Sequence, residues 1–148
     1  MKKFLSYFIF YLIQWTWGIL MNVAGACAAL VMLITKHKAY HVGPYVYFRT
    51  KWNFGGVNLG MFFIIGDKCD SCACHEMGHG MQNMVFGPFH CILSIGSVIR
   101  YWYRELKYHR HHLQPPTDYD EWWFEGYATK WGTSMWSNIW KAHCQSRK

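Results

Sequence analysis

Near the middle of the 148-residue chain, His75-Glu76-Met77-Gly78-His79 combines residue types and spacing that could activate a water molecule. On a helix, histidines at i and i+4 project from one face, and the glutamate between them can reach a metal-bound water. The chemistry implied is metal-assisted hydrolysis. Zinc is fixed by protein ligands, one position stays open for water, and Glu76 takes the proton. Chance placement of these residue types in a chain with 9 histidines gives on the order of 0.01 such matches.

Two histidines do not complete such a site, which normally has three protein ligands. The available donors are Asp118, Asp120, Glu121, Glu125 and the cluster His109 to His112. Glu125 is favoured because Trp122-Trp123-Phe124-Glu125-Gly126-Tyr127-Ala128 sets a carboxylate within a largely aromatic helix, where a charge needs a partner. Ala128 and Gly132 fall near the same face at i+3 and i+7, and Gly78 on the motif helix leaves room for another element to pack closely. For a donor to the developing oxyanion, Tyr127 is placed first, with Tyr119, His109, His111 and His112 as the other candidates.

The elements that must hold these residues follow from pattern. Tyr45 to Trp52 alternates and is rich in strand formers, Asn53-Phe54-Gly55-Gly56 reads as a turn, and Val57 to Ile65 reads as the second strand of a hairpin. A helix from about Ser71 to Val85 carries the motif and stops at Gly87-Pro88. Phe89 to Tyr103 reads as a buried or interfacial helix. Thr117 or Asp118 then caps a last helix that runs to Trp131, with Asp120 and Glu121 in its first turn and Gly132 as its stop.

Taken together, the strings HEMGHGMQNMVFGPFH and WFEGYATKWG resemble two metal-site segments of known proteins. The chain resembles the gluzincin group of zinc metallopeptidases, whose third ligand is a glutamate on a later helix. It is more closely similar to a set of small bacterial membrane proteins. In those, an HE-x-GH-x-x-Q segment leads to a Gly-Pro and a W-x-E-x-x-A helix follows. Over residues 45 to 132 this resemblance implies an α+β zincin-like domain with one zinc per chain on His75, His79 and Glu125, and Glu76 as base. It also implies that the strand Val57 to Ile65 aligns a peptide or protein substrate. The chain departs from the gluzincin pattern at Thr129, four residues after Glu125, where an acidic or amide residue is usual. The Cys-rich approach to the motif has no counterpart there.

Composition says where such a site would work. Aromatic residues make up 20% of the chain and no formal charge lies between Lys3 and Lys36, a run long enough for one tilted transmembrane helix. The expectation is a membrane anchor over 1–40 and a metal-binding domain over 41–148. Lys36, Lys38, Arg49 and Lys51 after the span outweigh Lys2 and Lys3 before it, which places the body in the cytoplasm. Cleavage after Ala24-Gly25-Ala26-Cys27, as in a signal peptide or lipoprotein, is disfavoured because the apolar run continues to Ile34. The net charge of +7 is not gathered into one run, so a lipid bilayer is expected as a partner and nucleic acid is not.

The six cysteines lack the layout of a secreted disulfide framework and favour a reducing compartment. Cys69-x-x-Cys72-x-Cys74 could hold a second metal as thiolates, though free thiols in a connection or a redox-sensitive pair are the commoner outcomes. Two rival functions stay open. One is a zinc-binding interaction protein without catalysis; the other is a His-rich membrane oxidoreductase that pairs His75 and His79 with the His109 to His112 cluster.

Overall fold

A computed structural model describes residues 2–51, 55–67, 69–111, 113, 118–136 and 139. The fold is mixed α+β with a four-stranded sheet, ordered β1-β2-β4-β3: β1 Ala39–Val42, β2 Tyr45–Thr50, β3 Gly56–Leu59 and β4 Phe62–Gly66. β1 and β2 are antiparallel across a two-residue turn at Gly43-Pro44, with Val42 opposite Tyr45. β3 and β4 form a second hairpin, and its turn is made possible by Gly60 at φ +72°. β4 lies parallel to β2 and pairs Tyr47 with Phe63.

The expected hairpin of Tyr45 to Trp52 with Val57 to Ile65 is therefore not the one formed. The apolar run 57–65 breaks at Gly60 into two strands, of which the second is the more apolar and takes the interior place. The first is left at the edge. In the expected turn, residues 53 and 54 lie outside the described residues.

The period of two along β2 and β4 feeds two cores. Tyr45, Tyr47, Phe63 and Ile65 face Ala73 and Met77 of α3 (Asp70–Phe86), while Phe48 faces Ala29 and Met32 of α2 (Ile19–Ile34), beside Val46, Phe62 and Ile64. The sheet is thus covered on both faces, and α2 supplies one of the covers. Within the expected anchor, α2 therefore packs on the sheet through Ala29 and Met32.

The run expected to make one transmembrane helix is two helices, α1 (Lys2–Thr16) and α2, bent by 94°. No single described helix is long and apolar enough to cross a membrane, although the bent pair passes that test by length and composition. A buried amide cluster holds the bend. Asn22 Nδ2 donates to the backbone oxygen of Gln14 at 2.6 Å and to Gln14 Oε1 at 2.7 Å, and Asn83 Nδ2 of α3 donates to the same Oε1 at 2.5 Å. Gln14 Nε2 donates to the Gly80 carbonyl at 2.8 Å. A side chain at Gly18 would collide with Asn83, its Cβ lying 2.4 Å from Nδ2, so the bend is built to seat on the motif helix.

α3 ends as expected at Gly87 (φ +53°). α4 (Phe89–Lys107) follows at once, and Arg104 and Lys107 in its last turn complement the carbonyl end of its dipole. The last helix differs from expectation at its start. Asp120 and Glu121 belong to a separate 3-10 turn, Tyr119–Glu121, and α5 spans Trp123–Trp131. It ends at Trp131 with Gly132 as its C-cap, as expected, and a π-helical turn, Gly132–Trp136, follows. The proposed cap Thr117 lies outside the described residues.

Candidate metal centre

Helices α3 and α5 meet at closer range than side chains usually permit. A Cβ on Gly78 would lie 1.9 Å from the Ala128 carbonyl oxygen, and one on Gly132 would lie 1.7 Å from the Cys74 carbonyl oxygen. Glycine at both positions lets the backbones touch. Ala128 and Gly132 do face the motif helix, as their spacing from Glu125 suggested.

That approach carries Glu125 onto the motif histidines. His75 Nε2 lies 3.0 Å from Glu125 Oε2 and 3.0 Å from His79 Nε2, while His79 Nε2 lies 3.3 Å from the same oxygen. Glu125 is 1% exposed. His75, His79 and Glu125 form a group that could hold a metal ion.

The surrounding hydrogen bonds assign the protons. Thr129 Oγ1 donates to Asp120 Oδ2 at 3.1 Å and so accepts from His75 Nδ1 at 2.8 Å. Gln82 Nε2 donates to the Phe124 carbonyl at 2.6 Å, which turns its oxygen to accept from His79 Nδ1 at 2.7 Å. Each imidazole therefore holds its proton on Nδ1 and presents a lone pair at Nε2. The far oxygen of Glu125 accepts from the Ser97 hydroxyl of α4, and that hydroxyl accepts from Tyr119 at 2.9 Å.

Three lone-pair acceptors thus converge on one point. A proton could relieve one pair of them, whereas a cation relieves all three. Tetrahedral zinc with bonds near 2.1 Å would set its ligands about 3.4 Å apart, close to the separations here. The donor set and its geometry fit such an ion.

The same closeness shows in the electrostatics of the metal-free chain. Burial alone would raise the Glu125 carboxyl, but His75 and His79, when they carry a proton on Nε2 as well, hold it well below the usual carboxylate range. Burial opposes protonation of His75, yet Glu125, Glu76 and Asp120 together raise it. Glu76, 4% exposed, is raised by burial against the opposing pull of His79 and His75. Its carboxylate fills the space above Gly56, where a Cβ would lie 2.6 Å from Oε1.

Glu76, His75, His79 and Glu125 all line one cavity of about 820 Å³ between the edge strand β3, α3, α4 and α5. Of the oxyanion candidates, Tyr119 lines it, with its hydroxyl pushed up to about 12 by burial. Tyr127 is not brought in. It sits two positions after Glu125, is 47% exposed, and faces a separate cavity of about 110 Å³ with Trp123 and Trp131. Asp118, Glu121 and His111 are exposed and outside the cavity wall, and the His109 side chain and His112 lie outside the described residues.

The cysteine cluster is not a second metal site: Cys69 and Cys72 are joined by a disulfide, and Cys74 is half-buried outside that bond. The expectation of reduced thiols fails for that pair. Among the described residues, the only group able to hold a metal is His75, His79 and Glu125.

Of the outer partners, sequence reasoning singled out Thr129 and missed Gln82 and Ser97. Gln82 was visible as a polar residue three positions after His79, one turn on. Ser97 was detectable only as a hydroxyl within an apolar helix. Comparisons of this chain with protein-family models, with curated proteins and with solved structures return no match.

Proposed function

We propose that this chain is a zinc-dependent peptidase attached to a membrane, with Glu76 as its general base. The observation that carries the reading is the convergence of three unprotonated acceptors beside a buried glutamate in an open cavity. Two imidazoles and one carboxylate with a free position suit zinc in catalytic sites. Zinc, when bound, supplies Lewis acidity towards a carbonyl and lowers the pKa of bound water to about 7.

The protein's own residues supply the rest. Glu76, raised by burial, accepts a proton from water and returns it to the leaving amine. Thr129 with Asp120, and Gln82, orient the two imidazoles, while Ser97 holds the far oxygen of Glu125. Tyr119 lines the cavity and donates to Ser97, and would serve a developing oxyanion by turning its hydroxyl from Ser97 to the substrate. β3 is at the sheet edge and contributes Gly56, Val57 and Asn58 to the cavity wall, so its unpaired backbone edge can align an extended peptide. Membrane attachment is assigned to α1 and α2, whose outer faces expose Leu5, Phe8, Leu12, Leu20, Leu30 and Ile34.

Elemental analysis of purified protein, followed by cleavage of a peptide library by wild type and Glu76→Gln, tests this. One zinc per chain, with cleavage lost in Glu76→Gln while zinc is kept, is the expected result. Zinc bound without turnover would favour the non-catalytic binding protein. Iron in place of zinc would favour the oxidoreductase.

A further inference from the structure

We infer that the cavity draws its substrate from a bilayer surface, as a peptide with apolar side chains lying at an anionic lipid interface in which α4 is seated. This rests on the hydrolase reading and adds the substrate class and its route.

α4 packs on the rest of the molecule through little of its length, burying only His90 and Ser97. Ile92, Ile95, Ile99, Trp102 and Leu106 recur at spacings of three and four, which sets them on one stripe. All five are more than half exposed, Ile92 at 68% and Leu106 at 53%. A stripe that long and that apolar is unusual on a surface facing water.

Charge selects the occupant. Lys107 is exposed near the end of the stripe, Arg104 stands at the cavity wall, and Arg100 is held beside it by the Tyr119 carbonyl, while Glu105 is the single acid of the helix. In a self-complementary pair of chains meeting on this face, these basic flanks would face one another. Anionic headgroups would neutralise them while the stripe enters the acyl boundary, as amphipathic helices of this kind do.

The stripe also borders the site. Trp102 lies on it and lines the cavity with Val98 and Tyr101, while the next turn inwards carries Ser97, the partner of Glu125. The cavity mouth thus opens at the edge of the lipid-facing surface, and Val57 and Phe124 continue its apolar wall. A peptide already lying at the interface reaches the site by moving along α4, without leaving the apolar phase.

The test uses full-length, zinc-loaded protein on phosphatidylcholine vesicles with and without phosphatidylglycerol. With a benzoylphenylalanine at Ile99, irradiation is expected to give lipid adducts. Adducts to a second chain, or none, would overturn the seat of α4. One apolar peptide is then offered free in solution and, separately, anchored to anionic vesicles by a palmitoyl chain. Wild type is expected to cleave the anchored form at least about tenfold faster. Ile95→Glu with Ile99→Glu, both exposed positions, should lose that advantage and cleave the free peptide at the wild-type rate. Equal cleavage of both forms by wild type, or an advantage kept by the variant, would overturn the route while leaving hydrolysis intact. Zinc retained with neither form cleaved would instead overturn the hydrolase reading, and lipid adducts at position 99 would still decide where α4 sits.

Discussion

The molecule buries two polar clusters against the same helix, and they are built on opposite principles. At the bend between α1 and α2, Gln14, Asn22 and Asn83 are amides, and donors meet acceptors: Asn22 and Asn83 both donate to Gln14 Oε1, and Asn22 Oδ1 accepts from the Met61 backbone N–H at 2.7 Å. Among the described atoms of those three side chains, only Asn83 Oδ1 lacks a partner. At the other end of α3, His75, His79 and Glu125 meet acceptor to acceptor, with the imidazole protons turned outwards to Thr129 and Gln82 and the far oxygen of Glu125 accepting from Ser97. The first cluster is satisfied from within but for that one oxygen and holds the helices in place. The second is complete only around a cation.

Substitutions should separate the two clusters. The largest effect is expected from Glu125→Ala, which removes one acceptor of three. Zinc bound per chain, measured by elemental analysis after dialysis, should fall close to zero with the fold retained by circular dichroism. Glu76→Gln comes next: hydrolysis drops by about 10² to 10⁴, the range for a lost general base, with zinc affinity kept. Thr129→Val, which strips the acceptor from His75 Nδ1, should weaken zinc binding by about 10- to 100-fold in a chelator competition, as loss of an outer partner does.

At the bend the expectation reverses. Gln14→Leu takes the shared acceptor from Asn22 and Asn83 and should cost about 1–3 kcal/mol of stability in urea denaturation. Zinc affinity of the folded protein should not change. A fall in affinity as large as that of Thr129→Val would show that the two clusters are coupled through α3.

The smallest effect is on pH. Zinc needs neutral imidazoles, and His75 in the metal-free chain is raised by its carboxylate neighbours, so it stays protonated to higher pH than an ordinary histidine. Zinc affinity measured across a pH series should therefore begin to fall, as pH decreases, above the ordinary histidine range. Loss only below that range would contradict the closeness of Glu125 to His75.

The sequence revealed more of the site than of its frame. His75, Glu76 and His79 are legible because helical spacing alone puts them together. Glu125 was legible because a carboxylate among aromatics needs a partner. The small residues Gly78, Ala128 and Gly132 gave away the helix contact that joins them. The frame was harder to read, because strand order depends on long-range pairing. Nothing local in Val57 to Ile65 shows that the strand folds back at Gly60 and inserts its second half beside β2. The bend at Gly18 was hidden for a similar reason: Gln14 and Asn22 lie in an apolar run, and their partner Asn83 is more than 60 positions away. Tyr127 was misplaced because two residues of helix rotate a side chain to the far face, and the local pattern did not say which face of α5 looks inwards.

The most direct measurement is zinc K-edge X-ray absorption on wild-type and Glu125→Ala protein, each loaded with one equivalent of zinc and dialysed. One zinc per wild-type chain is expected, with two imidazole nitrogens and at least one oxygen at about 2.0–2.1 Å, and loss of the metal in the variant. A wild-type chain that retains no zinc, or a variant that retains it with an unchanged spectrum, would contradict the site.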